Sequence, residues 1–140
     1  MVDRDTFERR LRKLEELLRD LRQLARVERE RFLEDRGLQA QAERWLQLAA
    51  ECVVDLAFQL IAERGWPTPD TKREAFETLR SQGVISPELA EHLAGWAGLR
   101  NVLVHLYLKI DHQQLYRTLT GELDPLEEFA RALTRVLGEG

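Results

Sequence analysis

Residues 5–25 read DTFERRLRKLEELLRDLRQLA, and their apolar pattern is the clearest helical signal in the sequence. Its apolar side chains recur at alternating steps of four and three residues, which is the spacing of one face of an α-helix. The apolar positions are Phe7, Leu11, Leu14, Leu18, Leu21 and Ala25. Asp5, with Glu8 three residues later, predicts a capping box at the start. We therefore predict a long amphipathic helix.

The other faces of this first helix carry closely alternating acidic and basic residues. Such faces can contact nucleic acid. The alternation of sign, however, favours a solvated surface with ion pairs inside the helix.

The same apolar spacing returns between Leu38 and Arg64, and Gly65 with Pro67 is expected to end that segment. A second long helix, antiparallel to the first, follows from this pattern. Cys52 falls on its apolar stripe, so we expect a buried and inert thiol there.

Capping residues predict the remaining helices. Thr71 with Glu74 starts a short helix that ends near Gly83. Ser86-Pro87 starts a third long helix that runs to about Ile110, Asp111 begins a further segment, and Asp124-Pro125 starts a last helix that closes before Gly138. The predicted fold is all-α: one domain over residues 1–140, an up-and-down bundle of three to four long helices plus one or two short ones.

Composition limits the kinds of site and partner. The 140 residues carry a net charge of −4, which argues against a broadly basic nucleic-acid surface. One cysteine and three dispersed histidines do not form a zinc ligand set, so neither a metal nor another cofactor is expected. We see no apolar run of membrane-spanning length, and we expect a cytoplasmic protein without membrane contact.

The third long helix carries the candidate chemistry. With about 100° per residue, Ala90, Ala94 and Gly98 share one stripe with Asn101 and His105. Small residues let another backbone approach, so this stripe predicts a helix crossing or a subunit contact. Arg100 and Tyr107, seven residues apart, lie nearly above one another beside it.

These polar side chains suit RNA cleavage without a metal. An imidazole carries protons near neutral pH, a guanidinium binds phosphate oxygens, and a phenol can position the same group. The internal nucleophile is the RNA 2′-hydroxyl. Each residue also has a structural interpretation: an ion-paired Arg100, a hydrogen-bonded core His105, and a packed Tyr107.

Residues 100–107, Arg-Asn-Val-Leu-Val-His-Leu-Tyr, resemble the R-x-x-x-x-H-x-Y motif of the HEPN superfamily. The flanking Gly98-Leu99 and Ile110-Asp111 are similar to its HepT-type branch, and the likeness extends over nearly the whole chain. The resemblance implies a ribonuclease toxin that acts as a homodimer, with RNA cleaved in a composite cleft between two motif helices. Its expected partner is a minimal nucleotidyltransferase antitoxin of the MntA type.

Carried over to this chain, the motif makes Arg100 and His105 catalytic, Asn101 the polar residue that supports the arginine, and Tyr107 the target of adenylylation. Two alternative interpretations stay open. In the first, the domain is a noncatalytic helical binding module that partners a nucleotidyltransferase. In the second, it is a helical bundle that dimerises for structural reasons only.

Overall fold

The computed structural model describes residues 4–105 and 111–139, and it describes the side chains of that range except at positions 99–105 and 139. Four long helices form the bundle: α1 (Arg4–Leu24), α3 (Arg36–Glu63), α5 (Pro87–His105) and α7 (Asp124–Glu139). Three short helices complete it: α2 (Arg29–Glu34), α4 (Lys72–Ser81) and α6 (His112–Gly121). The predicted all-helical bundle is confirmed, with one more short helix than expected.

The long helices run alternately up and down. Arg10 of α1 donates to Gln59 Oε1 near the end of α3, at 2.5 Å. Arg4, at the start of α1, donates to the carbonyl of Leu137 near the end of α7, at 3.1 Å. Helix α1 is therefore antiparallel to both α3 and α7, as the sequence predicts for α3.

Capping interactions set the starts of three helices. Thr71 Oγ1 accepts from the Glu74 amide at 3.0 Å, and Ser86 Oγ accepts from the Leu89 amide at 3.1 Å. Asp111 Oδ1 accepts from the amide of Gln113 at 2.9 Å. Each of these starts agrees with its prediction.

The glycines predicted to end α3 and α4 also do so. Gly65 (φ 69°) follows α3 and Gly83 (φ 78°) follows α4, and both adopt the left-handed conformation that favours glycine. The amide of Trp66 donates to the carbonyl of Ile61 at 3.1 Å and closes the C-terminal turn of α3.

Two helix boundaries differ from prediction. Helix α1 already includes Arg4, so Asp5 lies in the first turn and does not cap it; Glu8 instead accepts from Arg4 Nε at 3.0 Å. At the other end of the chain, α7 continues through Gly138. The predicted helix to Ile110 is described as far as His105, because residues 106–110 lie outside the described residues.

Helix α2 is not predicted from the sequence. Its buried residue, Phe32, packs against Tyr116 of α6 with ring centroids 5.2 Å apart. Gln39 of α3 donates to the Phe32 carbonyl at 3.0 Å. Six residues with one buried side chain are too short for periodicity to reveal, and tertiary contacts hold the helix in place.

Helix α3 is the central element and packs against every other helix. In the described part of the chain it alone is long and apolar enough to cross a membrane by length and composition, although Glu51 and Asp55 interrupt its apolar residues. Half of its apolar window is buried inside the bundle, which is typical of a core helix. Its composition follows from its central position.

Candidate active site

Helix α5, which carries the motif, is anchored through its first half. Leu89 and Leu93 are buried in the core. Trp96 is buried too, and its indole Nε1 donates to the backbone carbonyl of Glu122 at 3.2 Å, in the junction between α6 and α7. An ion pair between Arg73 Nη1 and Glu91 Oε2, 3.1 Å long, links α5 to α4 on the surface. The helix backbone is thereby held by core contacts and by both neighbouring segments.

The predicted site residues lie at the far end of this helix. Arg100, Asn101 and His105 belong to α5, and their side chains are outside the described part of the structure. Helix geometry separates positions 100 and 105 by about 7.5 Å along the axis and by about 140° around it. Tyr107 lies outside the described residues. The catalytic, supporting and modification roles therefore stay predictions.

The small-residue stripe divides into a buried and an open part. Ala90 is buried inside its own chain, 3% exposed, which fits the helix crossing that the stripe predicts as one alternative. Ala94 is half-buried and Gly98 is exposed. Gly95, which the helical spacing does not place on the predicted stripe, is exposed as well. The open small-residue surface of α5 thus consists of Ala94, Gly95 and Gly98, and we call it the glycine face.

In the described part of the chain, packing does not require glycine at positions 95 and 98. A Cβ atom built at either position meets no described atom within 4 Å apart from the adjacent backbone of its own helix. Glycine inside a helix costs about 1 kcal/mol relative to alanine. Two such glycines on the open side of the motif helix therefore favour a surface that another backbone approaches closely.

An acidic cleft borders the glycine face. It lies between α5, α6 and the start of α7 and encloses about 670 Å³. Glu91, Glu122, Asp124 and Glu128 line it, together with His92. Carboxylates at this density repel phosphates, so RNA is not expected to approach the motif helix from this side.

The segment that follows the motif helix leads into a well-anchored start of α6. Asp111 caps α6, and His112 Nε2 lies 3.5 Å from Glu43 Oε1 of α3. This contact becomes an ion pair when His112 is protonated. The chain is therefore tied to α3 at His112, five residues after Tyr107 in the sequence.

Cys52 is half-buried on α3 and packs against the core. Burial, and secondarily the negative charge of Asp55, raises the pKa of its thiol above the ordinary value. A protonated, half-buried thiol is a poor nucleophile. This agrees with the predicted inert role, although burial is only partial.

Among the side chains that the structure describes, which do not include that of His105, no group of three or more His, Cys, Asp and Glu residues has metal-ligand geometry.

Comparisons with known proteins add to this picture. The sequence model of a family described as Ribonuclease HepT-like matches residues 14–133. The chain is 28% identical over 131 residues to the tRNA nuclease HepT of Aphanizomenon flos-aquae. This alignment covers 94% of this chain and 89% of the relative. The chain is also 26% identical over 98 residues to the mRNA nuclease HepT of Shewanella oneidensis. This alignment covers 70% of this chain and 74% of the relative.

Solved structures share the fold. One is the tri-AMPylated HEPN toxin of Shewanella oneidensis in complex with MNT antitoxin, with a TM-score of 0.84 at 21% identity over 95% of this chain and 99% of that one. Another is YutE, a cytosolic protein of unknown function from Bacillus subtilis, with a TM-score of 0.83 at 22% identity over 97% of this chain and 91% of that one. At these identities the likeness establishes the fold alone.

Proposed function

Because the chain belongs to the HepT-like ribonuclease family, we propose that it is an endoribonuclease toxin that cuts RNA without a metal, in a site shared between two subunits. The relatives named as tRNA and mRNA nucleases support RNA as the substrate. The glycine face on the motif helix carries the proposal for the shared site.

In the proposed reaction, His105 removes the proton of the RNA 2′-hydroxyl or protonates the leaving oxygen. The 2′-oxygen attacks the phosphorus and the bond to the 5′-oxygen breaks, which leaves a 2′,3′-cyclic phosphate and a free 5′-hydroxyl. Arg100 stabilises the additional negative charge of the pentavalent phosphorane. Asn101 supports Arg100 as a polar neighbour.

The geometry of the helix favours a site built from two subunits. Positions 100 and 105 differ by about 140° around α5, so one copy does not present both residues to one phosphate from the same direction. Two copies whose glycine faces meet would bring Arg100 of one near His105 of the other. A homodimer of this kind is symmetric and contains two such sites.

The proposed partner is a minimal nucleotidyltransferase antitoxin that transfers AMP to Tyr107. The phenol oxygen displaces pyrophosphate from ATP, so that a Tyr–O–AMP ester forms. The added phosphodiester brings negative charge to the position that an RNA phosphate needs, and it prevents binding by repulsion and bulk. The AMPylated HEPN toxin found with its MNT antitoxin supports this partner. Such a toxin acts in the cytoplasm, where its RNA is.

The shared site is tested by mixing two inactive variants. Arg100→Ala and His105→Ala proteins are each expected to lose RNA cleavage. After denaturation and joint refolding, half of the dimers are mixed, and one of the two sites in each mixed dimer is intact. Activity should return to about one quarter of the wild-type value.

No recovery, with mixed dimers demonstrated by mass spectrometry, would contradict the shared site. Wild-type protein that cuts no RNA would favour the noncatalytic binding module instead.

A further inference from the structure

A second groove, between α1 and α7, has the opposite charge to the acidic cleft. It encloses about 480 Å³. Leu18 and Ala130 form its buried floor. Its rim carries four arginines and two glutamates. The arginines are Arg19, Arg22, Arg26 and Arg131, and we call this surface the arginine groove.

One of the four arginines holds the groove together. Arg22 donates from Nε to Glu127 Oε2 at 2.9 Å and from Nη2 to Glu127 Oε1 at 2.5 Å. Its Nη2 also donates to Asp124. The bond with Glu127 leads the causes that raise the pKa of Arg22 above its ordinary value. This network joins α1 to α7 and compensates the charge of Glu127.

The other three arginines remain available for a ligand. Arg19, Arg26 and Arg131 are exposed, and none of them forms an ion pair within the described ranges. With Glu127 compensated by Arg22, Glu15 is the remaining carboxylate on the rim. The groove is therefore a local positive surface on a chain whose net charge is −4.

The spacing of these arginines suits a chain of phosphates. Arg19, Arg22 and Arg26 follow one another at steps of three and four residues, which places them along one face of α1 over about 10 Å. Arg131 faces them from α7 across the groove. Guanidinium groups bind phosphate oxygens through two parallel hydrogen bonds.

We propose that the arginine groove binds the phosphodiester backbone of the RNA substrate outside the cleavage site. This inference rests on the proposed function. The groove has no aromatic side chain on its lining, so it offers no surface on which bases stack, and contacts to the backbone are independent of sequence. It holds long RNA on an otherwise acidic protein, while short RNA reaches the active site without it.

The test compares two triple variants with equal net charge. Arg19→Gln, Arg26→Gln and Arg131→Gln remove the available charges of the groove. The control carries Arg9→Gln, Arg64→Gln and Arg117→Gln, which are exposed arginines outside the groove. Each set is combined with His105→Ala to prevent cleavage, and binding of a labelled single-stranded RNA is followed by fluorescence anisotropy between 0.05 and 0.3 M salt, a range in which counterion release is strong.

The groove variant should bind RNA about 100-fold more weakly at 0.1 M salt, and the negative slope of log K against log salt should become less steep by about 2. The control should keep the slope of the unsubstituted protein. Equal affinities and slopes for both variants would overturn the proposal. So would a groove variant that binds RNA normally but no longer retains its antitoxin, because the groove would then belong to a protein interface.

Cleavage separates this proposal from the proposed function. Without the His105→Ala substitution, the groove variant should cut a dinucleotide at the wild-type rate. It should cut long RNA more slowly than the wild type does. If the wild-type protein binds RNA through the arginine groove but cuts none, the proposed nuclease function is refuted and the proposal that the groove binds RNA is retained. Equal cleavage of long RNA by both triple variants would refute the groove alone.

Discussion

The indole Nε1 of Trp96 donates a hydrogen bond to the backbone carbonyl of Glu122 at 3.2 Å, and it ties the motif helix α5 to the junction between α6 and α7. Trp96 is only 5% exposed. Together with the buried side chains of Leu89 and Leu93, this bond anchors the helix that carries the candidate active site.

Trp96→Phe removes the donor and leaves the Glu122 carbonyl without this partner. We expect the free energy of unfolding to fall by about 1–3 kcal/mol, from the lost hydrogen bond and the smaller ring. RNA cleavage per folded molecule should fall as well, because α5 loses its hydrogen bond to the junction between α6 and α7. Urea denaturation and a cleavage assay measure the two effects. Trp66→Phe, in the half-buried loop after α3, is the control and should leave cleavage unchanged.

Gly98→Leu tests the glycine face. Its Cβ position is open in the chain, so the substitution should leave the fold intact or raise its stability slightly through better helix propensity. In a dimer it should force the two helices apart and abolish both dimerisation and cleavage. Light scattering measures the assembly. Gly138→Leu, at an open glycine of α7, is the matched control, and an intact, active Gly98→Leu dimer would place the interface elsewhere.

The two tyrosines of the chain give a matched test of modification. Tyr116 is half-buried, and its hydroxyl donates to the Val27 carbonyl at 2.7 Å, so it is already engaged. After co-expression with a nucleotidyltransferase antitoxin, intact-mass analysis should find AMP on the wild type and on Tyr116→Phe. Tyr107→Phe should carry none. AMP on the Tyr107→Phe protein, or a modified protein that still cuts RNA, would refute the proposed regulation.

Cys52 should react slowly with thiol reagents in the folded protein. Burial raises the pKa of its thiol, so less thiolate is present at pH 8 than in the unfolded chain. The alkylation rate of the native protein should begin to rise at higher pH than that of the protein in urea. Because the unfolded chain ionises first, Cys52 should also lower stability as the pH rises above about 8.5. Equal pH profiles in both states would contradict this.

Local signals predicted much of the fold. Thr71, Ser86 and Asp111 mark helix starts through their own side chains, and Gly65 and Gly83 mark helix ends through their backbone, so sequence alone was sufficient there. Asp5 did not cap α1, because a helix that starts one residue earlier forms its own pair between Arg4 and Glu8. Helix α2 depends on tertiary contacts of Phe32, which no local pattern reveals.

The candidate site was predicted less completely. Helical spacing placed Ala90 and Gly98 on one stripe. In the structure Ala90 is buried in the core while Gly98 is exposed, and the exposed surface also includes Gly95. The charged face of α1 was expected to form ion pairs within the helix. That holds for Arg4 and Arg12 with Glu8, whereas Arg22 pairs with α7 and helps to form a basic groove. Pairs between distant helices follow from packing, which the alternation of charges along the sequence does not contain.

Metal-independent cleavage by the motif is measured with three purified proteins in the presence of a chelator: the wild type, His105→Ala, and His92→Ala. His92 is exposed in the first half of the same helix and serves as the control. The wild type and His92→Ala should cut RNA at equal rates and leave 2′,3′-cyclic phosphate ends, while His105→Ala, still folded, should be slower by about 10²–10⁴-fold. Full activity of His105→Ala, or cleavage that stops when the chelator is added, would contradict the account.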